Sequence, residues 1–432
     1  MRWLLPRPRN RRRRLLFPVL GFLLLHAAAV AAQGLPRVQP GDVGLSAERL
    51  ARLDSVFRDY HDRQALPGAV LLVARNGRIA HLEAFGLRDR ESGSRMTTDA
   101  IFRIASQTKA LVSVAIMMLQ EEGRLLIGDP VARYIPAFDS TTVAVEREGG
   151  GYDIVPADRA ITIRDLLTHT SGIGYGYGPA ADRWADAGIQ GWYFANRDEP
   201  IAATVERMAA LPMDAQPGER FVYGYSTDIL GAVVEQASGM TLDEFLRTRI
   251  TDPLGMRDTF FYLPRDRRDR LATVYARPDS VGIVRAPDEG TMEAQGHYVE
   301  GPRTSFSGGA GLVSTAGDYA RFLQMLLNGG ELDGVRILSP KTVQLMTTDH
   351  IAERYGAPGV GFGLGFSVVQ DVGLRGEPGS IGEYGWGGAY HSTYWVDPEE
   401  QLVVVYFTQV IPARFLDDHA KLRALVYQAI VE

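Results

Sequence analysis

The chain has 432 residues, is 45% hydrophobic and 23% charged, and carries a formal net charge of -6. Without a single cysteine it can have no disulfide, thiolate metal site, cysteine nucleophile or lipoprotein cysteine. The acidic balance argues against nucleic acid as a partner.

Residues 1–32 read as a targeting segment. Arg2, Arg7, Arg9 and Arg11 to Arg14 form a basic n-region, and an apolar run follows from Leu15 to Ala32. The run closes on Ala29-Val30-Ala31-Ala32, small residues that suit a signal peptidase. The alternative is an uncleaved membrane anchor, but no later apolar run has spanning length, which favours cleavage and no stable anchor afterwards. Arg12 to Leu16 loosely resembles a twin-arginine signal without its flanking pattern, so the export route stays open. Cleavage would leave a formal charge of about -13 and place the protein in the periplasm or outside the cell. An exported protein without disulfides needs a large core, which about 400 residues can supply.

Residues 33–45 read as an N-terminal extension and residues 46–432 as the folded domain. Ser46 to Arg63 is expected to be an amphipathic helix, capped by Ser46, with Leu50, Leu53, Val56 and Phe57 on one face. Ala69 to Ala74 and Ile79 to Phe85 read as strands joined by the turn Arg75-Asn76-Gly77-Arg78. Ser106 to Glu122 is a helix closed by Gly123, and its run Ala110 to Leu119 is apolar on every side, as in a helix buried at the centre of a protein. Further helices are expected over Ile163 to Thr168, capped by Thr162, over Ser226 to Ala237, and over Leu242 to Ile250 with a Thr241/Glu244 capping box. Gly174 to Pro200 is irregular and rich in Gly, Tyr and Trp. Helices at Ser314 to Gly329 and Pro340 to Thr347 precede strands at Gly365 to Gln370, His391 to Val396 and Leu402 to Gln409. Ala413 to Val431 is expected to be helical. Strands at both ends around a mostly helical middle predict an α+β fold, with an antiparallel sheet built from both chain ends, flanked by helices. The α/β part would span about 46–140 and 335–432, and the inserted helical part about 141–334.

Only three lysines occur, Lys109, Lys341 and Lys421, against dozens of arginines. Arginine stays protonated under working conditions, whereas a desolvated lysine can lose its proton and act as a base. Lys109 follows a serine by three residues in Ile104-Ala105-Ser106-Gln107-Thr108-Lys109, a Ser-x-x-Lys pattern. Residues at that spacing share a helix face. A serine hydroxyl is a weak nucleophile until a base takes its proton, and burial and the positive helix end both lower a lysine pKa. The helix start also offers the Ser106 backbone N–H to an oxyanion. The bland alternative, a capped helix with a surface lysine, fits poorly beside Ala110, Leu111, Val112 and Val114.

Two further segments complete the pattern: Pro217-Gly218-Glu219-Arg220-Phe221-Val222-Tyr223-Gly224-Tyr225-Ser226-Thr227-Asp228-Ile229-Leu230-Gly231, and Tyr384-Gly385-Trp386-Gly387-Gly388-Ala389. With Leu166 to Gly172, Ser238 to Met240, Pro253 to Thr259 and Gly308 to Thr315, in this order and spacing, the chain resembles the serine β-lactamases of class C type. More narrowly it is similar to the family VIII carboxylesterases, from about Ser46 to the end. The resemblance implies a nucleophile Ser106, its lysine Lys109 and a tyrosine. Tyr223 fits the pattern Tyr-Ser-x-x-x-Asp-Val-Leu-Gly, with Gly224 in the serine position, better than Tyr225, which then falls where a residue lining the site is expected. Either Lys109 or Tyr223 could be the acylation base. The second oxyanion N–H is carried over to Ala389.

Penicillin-binding relatives place Lys-Thr-Gly, or His for Lys, where this chain has Trp386-Gly387-Gly388. Lys341-Thr342-Val343 opens a helix instead. Trp386 removes a cation that would attract a substrate carboxylate and supplies an apolar wall, which ranks esters first; Gly387 and Gly388 let the strand approach substrate. The expected substrate is thus a small ester or amide, with no cofactor. Rival readings are a β-lactamase, a D-amino-acid peptidase or D,D-carboxypeptidase, a transacylase, or a non-catalytic binder of cell-wall fragments. No Gly-x-Ser-x-Gly or His-Glu-x-x-His occurs, and the eight scattered histidines argue against a metal. His169 reads as a turn residue and His391 as a peripheral one.

Overall fold

The computed structural model describes residue 3 and residues 34–279 and 282–432, so the expected signal segment lies, apart from residue 3, outside the described residues. No helix among the described residues is long and apolar enough to cross a membrane.

Eight strands form the main sheet. They are β1 (Gly68–Arg75), β2 (Arg78–Asp89), β3 (Ser94–Arg95), β4 (Val360–Phe362), β5 (Ser367–Val369), β6 (Tyr384–Gly388), β7 (Ser392–Asp397) and β8 (Leu402–Thr408). Their order is β4-β5-β6-β7-β8-β1-β2-β3, and each neighbouring pair is antiparallel. The two halves meet where β1 pairs β8, from Ala69 opposite Thr408 to Arg75 opposite Leu402. The β1–β2 turn has positive φ at both Asn76 (54°) and Gly77 (74°). Asn-Gly tolerates that conformation, and its twist matches the flanking strands.

The central strands are apolar on both faces because both faces are covered. Leu71, Val73, Val404 and Tyr406 pack against the helices α1 (Ala47–Asp62) and α5 (Asp418–Tyr427). Val70, Leu72, Val403, Val405 and Phe407 face the larger core, which contains α2 (Thr108–Glu121), α3 (Ser226–Ser238) and α4 (Ala316–Leu327). α1 is capped by Ser46, whose Oγ accepts the Arg49 N–H at 3.3 Å, and it buries Leu50, Leu53, Phe57 and Tyr60. In α2 every residue from Thr108 to Leu119 is buried.

Several boundaries differ from the sequence expectation for local reasons. Ser106 lies in a 3-10 turn, Ala105–Gln107, and α2 proper starts at Thr108. The expected helix over Ala413 to Val431 contracts to α5. The preceding Val410–Ala413 is a strand paired in parallel with Tyr275–Arg277. The helix at Leu242 becomes a short α-turn, Leu242–Leu246, running into a π-turn, Arg247–Thr251. Its capping box is half made. Thr241 accepts from the Glu244 N–H at 3.2 Å, but Glu235 rather than Glu244 reaches the first turn, accepting from the Leu242 N–H at 2.9 Å. The irregular Gly174 to Pro200 stretch contains one short helix, Ala181–Asp186, and the hairpin Thr142–Glu146/Tyr152–Pro156 was not expected. Residues 34–45 lie along the fold, with Arg37 bridged to Ile79 and Leu45 to Ile430.

Candidate active site

Ser106 sits at a sharply bent point. Ala105, fully buried, has a φ of 43°, a left-handed conformation that costs a non-glycine residue free energy and persists only where packing enforces it. The strand Phe102–Arg103, paired with Val313–Ser314, enters this bend, and α2 leaves it. β6 passes directly in front. A Cβ at Gly388 would lie 2.6 Å from the Ile104 carbonyl oxygen, so this strand position accepts no side chain.

Lys109, 2% exposed, reaches back from the first turn of α2. Its Nζ donates to the Gly309 carbonyl at 2.7 Å, to the Tyr175 hydroxyl at 3.1 Å and, more weakly, to Ser106 Oγ at 3.4 Å. These three acceptors match the three N–H bonds of an ammonium. Nζ also lies 4.7 Å from the centre of the Tyr223 ring. The other two lysines are surface groups: Lys421 pairs with Asp417, and Lys341 bonds Gln344.

The acceptor Gly309 is itself fixed. Asp228, on α3 and 1% exposed, accepts the Gly309 N–H at 3.0 Å and the Ser307 hydroxyl at 2.6 Å. A Cβ at Gly309 would fall 2.3 Å from Asp228 Oδ2. Burial pushes the Asp228 carboxyl up, against the opposing pull of Lys109 and of its two hydrogen-bond donors.

Tyr223 enters from the loop before α3. Its hydroxyl accepts the Trp386 Nε1–H at 2.9 Å, and the two rings lie 5.4 Å apart. Gly224 lets this loop press against the segment carrying Tyr175, since a Cβ there would lie 2.3 Å from the Ile173 carbonyl oxygen. Burial and the adjacent Tyr223 phenol push the Tyr175 phenol well up.

Tyr225 is placed elsewhere than expected. It is fully buried, stacked on Trp184 at 5.6 Å, and donates to the Gly191 carbonyl at 2.7 Å. It therefore props the Gly174 to Pro200 segment from beneath and does not line the cleft. Tyr175 lines it instead. In the sequence Tyr175 is one of several aromatics in the Gly174 to Pro200 stretch, and only its contact with Lys109 distinguishes it.

The resulting cleft has a volume of about 660 Å³. Ser106, Tyr175, Trp192, Tyr223 and Trp386 line it, together with Gly387, Gly388 and Ala389. Among the described residues neither the Ser106 nor the Ala389 backbone N–H has an acceptor. His169 lies behind Tyr223, its ring 4.7 Å away and its φ 54°, and its carbonyl accepts the Val222 N–H at 2.7 Å. Burial and then Lys109 hold its imidazole well below the usual histidine range.

The polar end of the cleft carries His391 and His419. His391 Nε2 lies 2.8 Å from a carboxylate oxygen of the wholly buried Asp418, which also accepts the Tyr406 hydroxyl at 2.8 Å. The three side chains offer donor atoms within 4.8 Å of one another. The two imidazoles, however, stack face to face, 4.1 Å apart and 13° from parallel. Ring lone pairs lie in the ring plane, so parallel rings cannot both point at one ion. The cluster is built as a hydrogen-bonded stack.

A buried lysine reaching back to a serine, at the foot of a sheet closed by both chain ends, defines a serine hydrolase of the β-lactamase-like fold. The sequence model of the Beta-lactamase family matches residues 53–428, and the chain belongs to that family. It is similar to an uncharacterised protein of Mycobacterium tuberculosis, 37% identical over 377 residues, 84% of this chain and 90% of the relative. It is also similar to esterase EstB of Burkholderia gladioli, 34% identical over 376 residues, 84% and 91% of the two chains. Among solved structures it superposes on EstCE1, a hydrolase with promiscuous acyltransferase activity, with a TM-score of 0.78 and 29% identity over 88% of this chain and 98% of that one.

Proposed function

We propose that the protein cleaves carboxylic esters through an acyl-enzyme on Ser106, with Lys109 and Tyr223 moving the proton. The observation that carries this reading is the cluster of Ser106, Lys109 and Tyr223 in one cleft, with Trp386 bonded to Tyr223 where penicillin-binding relatives carry a cation. Ser106 Oγ attacks the ester carbonyl, and its proton passes into the Lys109/Tyr223 pair. The oxyanion is received by the N–H groups of Ser106 and Ala389, which are free to donate. The stored proton leaves with the alcohol, and water then resolves the acyl-enzyme. Nζ of Lys109 meets the Gly309 carbonyl and the Tyr175 and Ser106 hydroxyls, and as a neutral amine it can take the Ser106 proton directly. As an ammonium it instead stabilises a Tyr223 phenolate, which takes the serine proton and becomes neutral.

Trp386 offers an apolar surface to the acyl or alcohol group, supporting esters over substrates selected by a carboxylate. The similarity to esterase EstB points the same way. Alcohols can compete with water for the acyl-enzyme, consistent with the acyltransferase activity named for EstCE1. We further infer export to the periplasm or cell exterior, on the strength of the Arg2 to Ala32 segment.

The decisive experiment compares p-nitrophenyl acetate and butyrate with a chromogenic cephalosporin, on the protein and its Ser106→Ala and Tyr223→Phe variants. Ester turnover lost in both variants is the expected result. Full ester turnover by Ser106→Ala would refute the mechanism, and cephalosporin turnover far above ester turnover would replace the substrate class.

A further inference from the structure

A second cavity, of about 870 Å³, shares no lining residue with the Ser106 cleft. Arg103 is the charged group set deepest into its wall, only 4% exposed. A guanidinium has five N–H bonds. In Arg103, Nε donates to the Gln295 carbonyl at 2.8 Å, and Nη1 donates to the Ala272 carbonyl at 2.6 Å and to Gln409 Oε1 at 3.3 Å. These bonds account for three. The two N–H bonds of Nη2 have no acceptor among the described residues, yet Nη2 is not among the atoms sealed from solvent. The cavity is the space that Arg103 lines, and its guanidinium also lies over the Tyr298 ring, 5.6 Å from the centroid.

The charge is as unbalanced as the donors. Among the described residues no carboxylate lies within ion-pair distance of Arg103. The groups that act on it most are the phenols of Tyr390, Tyr298 and Tyr193 and the second cation Arg285. Burial pushes those three phenols up, so they stay neutral. Burial and Arg285 both act against the Arg103 cation. The acids of the cavity wall are largely committed. Arg285 binds Asp89 and Asp288, each at 3.1 Å, while Glu300 is held by Arg268 and by Arg265. Arg88 also lines the wall. A buried, hydrogen-bonded cation with two spare donors and no counter-ion, facing an open cavity beside further arginines, is half of an ion pair.

We propose that this cavity is a binding site for a small oxyanion, a carboxylate or phosphate group. Arg103 Nη2 grips the anion from below, and Arg88 and Arg285 close over it. The fork of two N–H bonds on one nitrogen and the planar guanidinium suit oxygen-rich anions. The proposal does not rest on the esterase reading, because the cavity shares no lining residue with the Ser106 cleft.

The test is isothermal titration of the full chain with inorganic phosphate and, separately, citrate, with sodium chloride holding ionic strength constant. We expect saturable one-to-one binding of at least one of the two, unchanged in Ser106→Ala. Arg88→Ala should weaken it at least about fivefold, as expected for loss of a charge-assisted contact. Arg103→Lys keeps the charge without the fork and should abolish it. Arg103 ties three segments together, so its variant could fail to fold; Arg88→Ala then decides alone. Absence of saturable binding of both anions up to about 20 mM, weaker than any useful site, would overturn the proposal. So would binding that Arg88→Ala leaves unchanged. Phosphate binding without citrate binding assigns a phosphoryl group, and the reverse assigns a carboxylate.

Discussion

Replacing Trp386 by Phe isolates one hydrogen bond. Trp386 Nε1–H donates to the Tyr223 hydroxyl at 2.9 Å, and phenylalanine deletes only that donor and part of the ring. The aromatic contacts with Tyr223 and with Phe362, at 5.4 and 5.3 Å, can largely persist. Trp386 is half-buried at the cleft wall, so the lost volume opens to solvent and leaves no sealed void. A neutral hydrogen bond contributes about 1 kcal/mol, and one to a charged oxygen about 2–3 kcal/mol. If Tyr223 relays the proton, handing its own phenolic proton towards Lys109 ahead of receiving the serine's, its oxygen gains negative charge and the bond strengthens by about 1–2 kcal/mol in the transition state, so its loss costs roughly 5–30-fold in kcat/KM. The assay is p-nitrophenyl butyrate hydrolysis over a full substrate range, with the melting temperature measured in parallel. The expected result is a fall carried by kcat at nearly constant Tm. A kcat/KM within twofold of the parent at unchanged Tm would remove Tyr223 from the proton path. A change confined to KM would reduce Trp386 to a wall of the pocket.

Tyr223→Phe should lower kcat by about 100-fold or more. Tyr225→Phe should leave kcat within a few-fold while costing about 1–2 kcal/mol in denaturant unfolding, since its hydroxyl serves the buried Gly191 carbonyl; equal kcat losses would contradict the separation of the two tyrosines. Gly309→Ala forces a methyl group against Asp228 and displaces the carbonyl that holds Lys109. Its esterase activity should fall by at least about 100-fold, with a drop in Tm; normal turnover would show that this anchor is dispensable. Burial raises the Asp318 carboxyl from 3.8 to about 6, so the fold favours its protonated form. That contribution is complete below the unfolded value and is lost as pH rises through about 6. Asp318→Asn should therefore flatten part of the stability decline between acidic and neutral pH, by at most about 2 kcal/mol given residual solvent contact. An unchanged pH slope in urea titrations would refute it.

The antiparallel sheet from both ends and the burial of α2 were legible because each depends on local pattern. Alternating or continuous apolar runs mark strands covered on one or both faces. A helix with no polar side from Ala110 to Leu119 has nowhere to lie but inside. The Ser106–Lys109 spacing was legible because it is local, and the burial of Lys109 follows from the helix, while Ser106 stays half-buried in the turn before it. The rarity of lysine alone was a weaker guide, because Lys341 and Lys421 are ordinary surface residues. Tyr225 was misplaced because a sequence separation of two does not tell which ring a loop turns inward. That choice is made by Trp184 and the Gly191 carbonyl, far away in the chain. Tyr175, His419 beside His391, and the spare donors of Arg103 are likewise products of tertiary approach, with no local spacing to announce them.

The pairing of β1 with β8 also dictates when the protein can become active during its synthesis. Ser106 and Lys109 leave the ribosome early, but β6, which carries Trp386 and stands in front of Ser106, follows almost 300 residues later, and β1 waits for β8 across a still longer gap. Until then β1 exposes an unpaired edge that is apolar from Ala69 to Ala74, the kind of surface that invites aggregation or chaperone capture. A nascent or truncated chain therefore holds its serine and lysine without a closed cleft, and hydrolytic competence is acquired in one late step.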